Sequence, residues 1–278
     1  MPGQHEKATA FRALHERPGI FVMPNPWDAG TAKMLTTLGF EALATTSAGF
    51  AFTLGRRDGE AEVGRDEILA NARAIVDATH LPVSADLENC FAHAPEAAAE
   101  TIRLAAGVGL VGGSIEDQTA DPAKPIYDFE LAVDRVRAAV AVARALPFPF
   151  VLTARAENFL NGRPDLEDTI RRLQAFEAAG ADVLYAPGLP DLDSIRAVTS
   201  SVGKPVNHVM GSWSPDLTLD QLAAAGVKRV SIGGALARAA LGAFLRGARE
   251  IQEHGTFTYV KQAAAFADIN TYFEGVKP

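Results

Sequence analysis

Short apolar runs alternate with amphipathic stretches along the whole chain. Eight apolar runs of three to five residues predict strands, and they lack polar alternation, which is typical of parallel strands buried on both faces. These runs are residues 20–23, 42–45, 83–85, 111–115, 150–153, 183–185, 205–209 and 229–232. The stretches between them, such as residues 128–145 and 166–179, place apolar residues three and four positions apart, which predicts helices.

The number of strand–helix units defines the expected fold. Eight units over about 250 residues predict a (β/α)8 TIM barrel. A doubly wound open sheet is the alternative, but Pro24-Asn25-Pro26-Trp27 follows the first strand, where a dinucleotide-binding sheet carries a glycine-rich turn. No linker or change of composition divides the chain, so we expect a single domain over residues 1–278.

A long apolar segment follows the eighth predicted strand. Residues 235–251 and 259–273 are helical in pattern and rich in aromatic side chains. One helix is expected to close the barrel, while the rest needs another surface, because soluble monomers rarely expose so large an apolar patch. The sequence therefore predicts extra C-terminal helices, residues 235–278, that pack on a neighbouring subunit of a homo-oligomer.

Composition and charge exclude several classes of partner. The chain has 278 residues, of which 48% are hydrophobic and 22% charged, and its net charge is −8. This charge argues against a nucleic acid or an anionic membrane as partner, and no apolar run is long enough to span a bilayer. The single cysteine, Cys90, and an N-terminus without the apolar core of a signal peptide predict a cytoplasmic protein.

Acidic residues follow three consecutive predicted strands. Asp86 and Glu88 follow the third strand, Glu116 the fourth, and Arg155 with Glu157 the fifth. Parallel strands end at one face of a barrel, so these groups are expected to converge there. Crowded carboxylates repel unless a cation holds them, and hard oxygen donors without a zinc-like spacing of histidine or cysteine favour Mg²⁺, with Mn²⁺ as an alternative.

The backbone geometry expected around these acids separates them into two sets. Asp86 and Glu88 alternate along one extended segment, so both side chains are predicted to point into the site. Asp117 is predicted to point away from it and to have a structural role. Asp58, in an earlier loop, either joins the metal shell through water or makes a turn.

Polar candidates for substrate binding lie at the same strand ends. After the second strand, Ser47, Ala48 and Gly49 would let backbone amides approach carboxylate or phosphoryl oxygens. After the eighth strand, residues 231–234 either bind phosphate at a helix start or form a tight turn. Small residues alone do not decide between these functions.

Arg155 and the seventh strand offer further polar groups. Arg155 either grips a substrate carboxylate with its planar guanidinium or pairs with a neighbouring glutamate. Asn207 and His208 are adjacent in the seventh strand, so only one of them can face the barrel interior. Both remain candidates for substrate binding, and a lone histidine there is more often a packed core residue.

Taken together, these motifs resemble the isocitrate lyase/phosphoenolpyruvate mutase superfamily. The resemblance spans nearly the whole chain, from Pro24 to the last helices. Its distinctive segments are Thr45-Thr46-Ser47-Ala48-Gly49, Gly55-Arg56-Arg57-Asp58-Gly59, Ala85-Asp86-Leu87-Glu88, Ser114-Ile115-Glu116-Asp117 and Thr153-Ala154-Arg155-Ala156-Glu157-Asn158.

The resemblance implies a fold, an assembly and a set of roles. It implies a barrel whose eighth helix swaps onto a neighbour, usually in a tetramer. It also implies Mg²⁺ held by Asp86, Glu88 and Glu116, with Asp58 acting through water and Arg155 gripping a 2-oxo acid. Ser47, Ala48 and Gly49 match the superfamily's carboxylate-binding loop. Members make or break a C–C or C–P bond beside a 2-oxo acid through an enolate.

Departures from the superfamily pattern bear on the reaction. The isocitrate and methylisocitrate lyases carry a catalytic cysteine in the loop after the metal-binding glutamate, whereas residues 118–125 contain none and Cys90 lies in a different loop. The phosphonate enzymes place a lysine and an asparagine there, where this chain has Gln118 and, further along, Lys124. Ala186-Pro187-Gly188 stands where methylisocitrate lyases carry a glutamate. The chain therefore resembles the oxaloacetate decarboxylase-like members more than either named end of the superfamily.

Three functional hypotheses follow. The first is a Mg²⁺-dependent lyase that cleaves a C–C bond in a small 2-oxo or 2-hydroxy di- or tricarboxylic acid. The second is a C–P mutase or hydrolase acting on a phosphonopyruvate-like substrate, and the third is a non-catalytic 2-oxo-acid binding protein. The proton donor is open at this point, with Tyr127, His208 and water as candidates.

Overall fold

Eight strands alternate with helices in the computed structural model, which describes residues 2–211 and 216–274. The strands are β1 (Phe21–Met23), β2 (Leu43–Ala44), β3 (Val83–Ala85), β4 (Gly112–Glu116), β5 (Val151–Arg155), β6 (Val183–Tyr185), β7 (Val206–Val209) and β8 (Arg229–Ser231). The helices are α1 (Gln4–Glu16), α2 (Ala29–Thr37), α3 (Ser47–Thr53), α4 (Arg65–Asp77), α5 (Pro95–Gly107), α6 (Phe129–Ala145), α7 (Leu166–Ala178), α8 (Leu192–Ser200), α9 (Leu219–Ala224), α10 (Ala235–His254) and α11 (Phe266–Thr271), with a 3₁₀ helix at Thr258–Gln262.

The strands form one parallel sheet that curls into a barrel. Neighbours pair in the order β1-β8-β7-β6-β5-β4-β3-β2. Between the outer two strands, the amide of Ala44 donates to the carbonyl of Pro24 at 3.0 Å, which brings the edges together. The predicted (β/α)8 barrel is therefore confirmed, and each predicted strand lies within two residues of an observed one.

The amino-terminal end of the barrel is closed by α1, a helix that the sequence interpretation did not anticipate. Phe11 and Leu14 of α1 are buried against the barrel residues Phe21, Val151 and Val183. These apolar contacts form a cluster separate from the main core between the sheet and the outer helices. We refer to this closed end, with α1 and the side chains it covers, as the barrel floor.

A buried arginine lies within the barrel floor. Arg229 donates from Nε to Oδ1 of Asn207 at 2.8 Å and from Nη2 to the hydroxyl of Thr153 at 3.0 Å. Its Nη1 is 3.2 Å from Nε2 of His15, whose Nδ1 is 2.8 Å from the carbonyl of Phe11. Burial, together with the charge of Arg229, lowers the pKa of His15 to about 3, so the ring is neutral and Nδ1 carries its proton.

The C-terminal helices lie largely outside the barrel. In α10 the buried residues are Ala237 and Gly247, and the latter packs against Tyr259 of the 3₁₀ helix. Phe244 is 70% exposed and Phe266 is 92% exposed. The expectation that one helix after β8 would cover the barrel is therefore wrong for a single chain, because the apolar face of α10 faces solvent instead of the sheet.

Across residues 2–211 and 216–274, no helix is both long and apolar enough to cross a bilayer.

Candidate active site

A cavity of about 1070 Å³ opens at the carboxyl ends of the strands. We call this end the barrel mouth. Loops after β2, β3 and β4 form much of its wall, and the ends of β5 and β6 form its base. In α/β barrels this end carries the chemistry, because loops can vary there without disturbing the strands.

Asp86 lies just beyond β3 and is held by its neighbours. Its Oδ2 accepts a hydrogen bond from the hydroxyl of Ser47 at 2.9 Å and from the amide of Ser47 at 3.2 Å. Its Oδ1 is 3.2 Å from Nη1 of Arg155. The backbone amide of Asp86 donates to the hydroxyl of Thr45 at 3.0 Å. The carboxylate is therefore fixed in direction toward the cavity that it lines.

Glu88 also lines the cavity, but the expectation that it does so by alternating with Asp86 along an extended segment is wrong. The strand ends at Ala85, and Glu88 has a φ of 49°, in the left-handed region, so Asp86 and Glu88 are not two alternating positions of one extended segment. The turn of the backbone brings the side chain to the cavity by a different route. Burial, with the negative charges of Asp86 and Asp58, raises the pKa of Glu88 to about 7.

Glu116 and Arg155 face each other at the ends of β4 and β5. They are direct partners in the strand register, and Nη1 of Arg155 is 2.7 Å from Oε1 of Glu116. The Nε of Arg155 donates to Oε1 of Glu157 at 2.7 Å, and its guanidinium lies 4.6 Å from the ring centre of Tyr185. In the isolated chain Arg155 therefore pairs with glutamates, which was the alternative to substrate binding.

Burial is the largest influence on the pKa values of both members of this pair. Burial raises the pKa of Glu116 well above its usual value, although Arg155 opposes the shift. Burial alone would lower the pKa of Arg155, but Glu116 and Glu157 outweigh it and raise that pKa. One guanidinium serves several carboxylates, and it does not neutralise them.

Asp58 lies in the loop between α3 and α4 and lines the same cavity. Burial and the nearby charge of Asp86 raise its pKa, while the amide of Gly59 and Arg155 oppose the rise. Its position beside Asp86 is compatible with a place in an outer shell around an ion. Its role as a water-mediated ligand stays a prediction.

The three small residues after β2 divide into two groups. Ser47 and Ala48 line the cavity at the start of α3. Gly49 is buried, and its amide donates to the hydroxyl of Thr46 at 3.2 Å. A Cβ at Gly49 would lie 2.9 Å from Cβ of Trp27, so glycine is needed there for packing. Gly49 is not among the described residues that line the cavity.

Asn207 and His208 lie in β7, and neither is among the described residues that line the cavity. Asn207 faces the barrel interior, where its amide donates to the hydroxyl of Ser231 at 3.0 Å and its oxygen accepts from Arg229. His208 is buried on the other side of the strand, and burial lowers its pKa to about 4. Contact between substrate and either residue stays a prediction.

The turn after β8 uses its amides internally. The backbone amides of Ile232 and Gly233 both donate to Oδ1 of Asn25, at 2.9 and 3.0 Å. Asn25 in turn donates to the carbonyl of Thr45 at 2.8 Å. These bonds favour the tight-turn interpretation of this segment over phosphate binding.

A buried ion pair supports the end of β5 from behind. Asp117 accepts a hydrogen bond from the amide of Glu157 at 2.8 Å and is 3.1 Å from Nη1 of Arg172. Burial raises the pKa of Asp117 to about 7 despite these partners. Asp117 thus has the structural position that the sequence predicted, and it fixes the backbone that carries Glu157.

Comparison with known proteins identifies the family. The sequence profile of phosphoenolpyruvate phosphomutase matches residues 11–252. The chain belongs to this family. It is also 30% identical to 2-methylisocitrate lyase of Escherichia coli K12 over 233 residues, which are 80% of this chain and 77% of that protein. The predicted membership of the isocitrate lyase/phosphoenolpyruvate mutase superfamily, and of an enzyme class, is confirmed.

Solved structures of the superfamily superpose on almost the entire chain. A protein of Burkholderia cenocepacia J2315, provisionally described as a lyase/mutase, is 61% identical, with a TM-score of 0.95 over 98% of this chain and 97% of that chain. Oxaloacetate acetylhydrolase in complex with oxalate is 26% identical, with a TM-score of 0.86 over 98% and 95%. Phosphonopyruvate hydrolase, in a complex with oxalate and Mg²⁺, is 24% identical at a TM-score of 0.84 and shares the fold.

The acids at the mouth of this superfamily member suit a hard divalent cation. Asp58, Asp86, Glu88 and Glu116 supply carboxylate oxygens, the donors that Mg²⁺ prefers, and the pKa values of Asp58, Glu88 and Glu116 are raised by burial first and by neighbouring carboxylates second. Within residues 2–211 and 216–274, no group of three or more acidic, histidine or cysteine side chains is placed to hold a metal ion as it stands. Mg²⁺ keeps several waters and needs few protein ligands, so the donor set fits the ion.

Several residues that line the cavity were missed in the sequence. Tyr185 is the last residue of β6, and this position at the end of a strand could have predicted that it lines the site. Arg238 lies one turn into α10, and Arg65 begins α4. His93 lies in the loop after β3, and nothing in its local sequence marks it.

Proposed function

We propose that the protein is a Mg²⁺-dependent lyase that cleaves a C–C bond in a small 2-oxo or 2-hydroxy di- or tricarboxylic acid through an enolate. The observation that carries this proposal is that Asp86, Glu88 and Glu116 line one large cavity at the barrel mouth, where Arg155 pairs with Asp86 and Glu116. The likeness to 2-methylisocitrate lyase supports C–C cleavage as the reaction class.

The acids have a shared role in this proposal. Asp86, Glu88 and Glu116 hold the ion, Asp58 reaches it through water, and Mn²⁺ is an acceptable replacement. A divalent ion bound there would supply positive charge where the negative charge of the enolate develops. Ser47 contributes by fixing the direction of the Asp86 carboxylate.

Arg155 and the start of α3 hold the oxo-acid end of the substrate. Glu157 anchors Arg155 through Nε, so the rest of the guanidinium can exchange its contacts with Asp86 and Glu116 for a substrate carboxylate. Ser47 and Ala48 lie on the cavity wall beside it. Cleavage of the bond between C3 and C4 then leaves the enolate of the oxo-acid fragment.

The loop after β4 argues against C–P chemistry as the first choice. Gln118 lines the cavity, and its side-chain oxygen accepts from Asn161 at 3.2 Å. Lys124 instead pairs with the exposed carboxylate of Asp128 at 2.5 Å and is not among the described residues of the cavity wall. A phosphonopyruvate-like substrate would therefore not meet this lysine in the observed loop conformation.

We further propose that the protein is a homo-oligomer, most simply a tetramer built from two dimers whose subunits exchange α10 and the following helices. The exposed side chains of Phe244 and Phe266 support this assembly, since isolated chains rarely leave such residues in water. Truncation after Gly255 should give aggregated or monomeric, inactive protein. Sedimentation of the full chain as a monomer at micromolar concentration would contradict the assembly.

Steady-state turnover of a panel of 2-oxo and 2-hydroxy acids, with and without Mg²⁺, tests the proposed reaction. Cleavage of at least one di- or tricarboxylate, dependent on Mg²⁺, is the expected result. Phosphate release from phosphonopyruvate would instead identify hydrolysis, and conversion of phosphoenolpyruvate would identify a mutase. Tight binding of oxalate without turnover of any compound would indicate a binding protein.

A further inference from the structure

His93 occupies a place at the cavity wall that distinguishes it from other exposed histidines. It is exposed, yet its Nδ1 lies 2.7 Å from the hydroxyl of Tyr127, and the two rings meet edge to face with centres 5.8 Å apart. Among the described residues that line the cavity, it is the one histidine. His5 and His80 are also exposed, but among residues 2–211 and 216–274 no comparable ring contact links either of them to a buried group.

Tyr127 is a rigid partner for this ring. Its side chain is buried, and its hydroxyl also accepts a hydrogen bond from Nδ2 of Asn89 at 3.4 Å. The guanidinium of Arg135 lies 4.2 Å from the centre of its ring. A phenol hydroxyl can donate to a neutral imidazole or accept from a protonated one, so it can orient His93 in both protonation states.

Arg135 also fixes the backbone that carries the histidine. This arginine is 1% exposed and donates from Nη1 to the carbonyl of His93 at 2.7 Å. It donates as well to the carbonyls of Ala92 and Asn89. Phe91, two residues before His93, has a φ of 55°, a conformation that persists only where the surroundings enforce it. Both the backbone and the ring of an exposed residue are therefore held in place.

We propose that His93, oriented by Tyr127, transfers the proton to and from the substrate carbon in this cavity. The hydroxyl of Tyr127 occupies Nδ1, which leaves Nε2 to exchange a proton with a bound ligand. Tyr127 itself is not among the described residues of the cavity wall, and neither is His208, so the structure favours His93 over those two candidates. This inference rests on the proposed lyase function.

For a 2-oxo acid that carries a carboxylate at C4, the proposed reaction is a decarboxylation. The C3–C4 bond breaks, C4 leaves as CO₂, and the bonding electron pair passes to C3 and the C2 oxygen as an enolate. Protonated Nε2 of His93 gives its proton to C3, and the C2 carbonyl forms again. The ring then regains a proton from water, so the net reaction consumes one proton.

Exchange of the C3 protons of pyruvate for deuterium tests this role without knowledge of the natural substrate. The exchange is followed by NMR in D₂O with Mg²⁺, and oxalate binding is measured by calorimetry on the same samples. His93→Asn is the informative variant, because an asparagine amide can keep a hydrogen bond to Tyr127 but cannot serve as the acid. We expect exchange to fall about 100-fold or more, while oxalate affinity stays within about threefold of wild type.

Two further variants separate proton transfer from a structural role. Exchange by His93→Ala should recover in part when imidazole is added. In contrast, His80→Asn, at an exposed position just before β3 that is not among the described residues of the cavity wall, should leave exchange and oxalate affinity unchanged. Tyr127→Phe should slow exchange less than His93→Asn does and should leave oxalate affinity near wild type. In this variant the imidazole of His93 loses the hydrogen bond that orients it but can still donate a proton.

The outcomes that overturn the inference differ from those that overturn the proposed function. Near-wild-type exchange by His93→Asn, or a parallel loss of exchange and oxalate binding without rescue by imidazole, would show that His93 only holds the loop. A wild-type protein that neither binds oxalate with Mg²⁺ nor exchanges pyruvate would overturn the proposed function, and this inference with it.

Discussion

The two ends of the barrel use the same strands for opposite purposes. At the floor, the buried cation Arg229 has neutral partners for its donors, and α1 seals the end with apolar side chains. At the mouth, several carboxylates crowd around Arg155 and remain unbalanced. A protein gains no stability from such crowding. The difference indicates that the floor serves folding, whereas the mouth is arranged for a ligand that the chain alone does not supply.

Backbone strain is distributed in the same unequal way. Among residues 2–211 and 216–274, five non-glycine residues have positive φ, and all of them lie in loops at the mouth. They are Ala61, Glu88, Cys90, Phe91 and Ala120. Such conformations cost about 1–3 kcal/mol each and concentrate where function requires a defined geometry. Strain and uncompensated charge therefore mark the same end of the molecule.

Removing one mouth acid should have the largest effect on function. Asp86→Ala is expected to abolish Mg²⁺-dependent oxalate binding and turnover, because Asp86 lies between Ser47 and Arg155 at the centre of the acid group. The fold should survive, since less negative charge remains at the mouth. Calorimetry and thermal unfolding measure the two effects, with Asp66→Ala, a 95% exposed side chain at the cavity rim, as the matched control. Undiminished oxalate binding by Asp86→Ala would show that the acids at the barrel mouth do not form the site that binds oxalate with Mg²⁺.

The floor should respond to acid in the opposite direction from the mouth. The pKa of His15 is lowered to about 3 by burial and Arg229, so below its ordinary pKa the unfolded chain binds a proton that the folded chain excludes. Stability should therefore fall as pH drops, by on the order of 3 kcal/mol at this residue between pH 7 and pH 4. Glu88, with its pKa raised to about 7, contributes with the opposite sign.

Urea unfolding at both pH values, on wild type and on His15→Gln, isolates the contribution of His15. The variant should lose less stability on acidification than wild type, whereas His80→Gln, at an exposed position, should match wild type. Equal acid sensitivity of His15→Gln and wild type would mean that the floor does not hold this ring neutral.

Substitution of Arg155 should weaken function by a smaller amount than loss of Asp86. Arg155→Lys keeps the charge but loses the planar fork, so substrate binding should weaken by about 2–3 kcal/mol. The kinetic constants with the substrate found in the panel, together with oxalate affinity, measure this loss. Unchanged values would assign Arg155 a purely structural role among Glu116 and Glu157.

Cys90 should matter least, although it is itself one of the strained residues of the loop after β3. Its thiol is buried, donates to the carbonyl of Ser114 at 3.7 Å, and has a pKa raised to about 12 by burial. Cys90→Ser should keep most activity and change stability by about 1 kcal/mol. Complete loss of turnover in a correctly folded variant would mean that the loop of Cys90, and not the loop after Glu116, carries a catalytic group.

The sequence predicted the strands and the mouth acids for physical reasons that also explain its failures. Buried parallel strands are apolar runs, and their carboxyl ends lie at one face of the barrel. The position of Asp86 and Glu116 at strand ends was therefore enough to predict that they lie at the mouth. The left-handed turn at Glu88 was not readable, because glutamate rarely adopts it. The contact between His93 and Tyr127 joins residues far apart in the chain, and no local pattern encodes it.

The packing of the helices near the two ends of the chain was also not predicted correctly. The apolar residues of α1 were present in the sequence, but only the fold reveals that they close the barrel floor. The face of α10 was correctly interpreted as apolar, but a pattern does not say which surface it covers. Within one chain that face remains exposed, which is why we propose that a second copy of the chain covers it.

Calorimetric titration of wild-type protein with oxalate, first with Mg²⁺ and then after exhaustive treatment with EDTA, tests most directly whether the mouth acids form a divalent-cation site that recruits a 2-oxo acid. We predict that oxalate binds only when Mg²⁺ is present, and that adding Mg²⁺ back restores binding. Equal oxalate affinity with and without the ion, or turnover that survives EDTA, would contradict the claim.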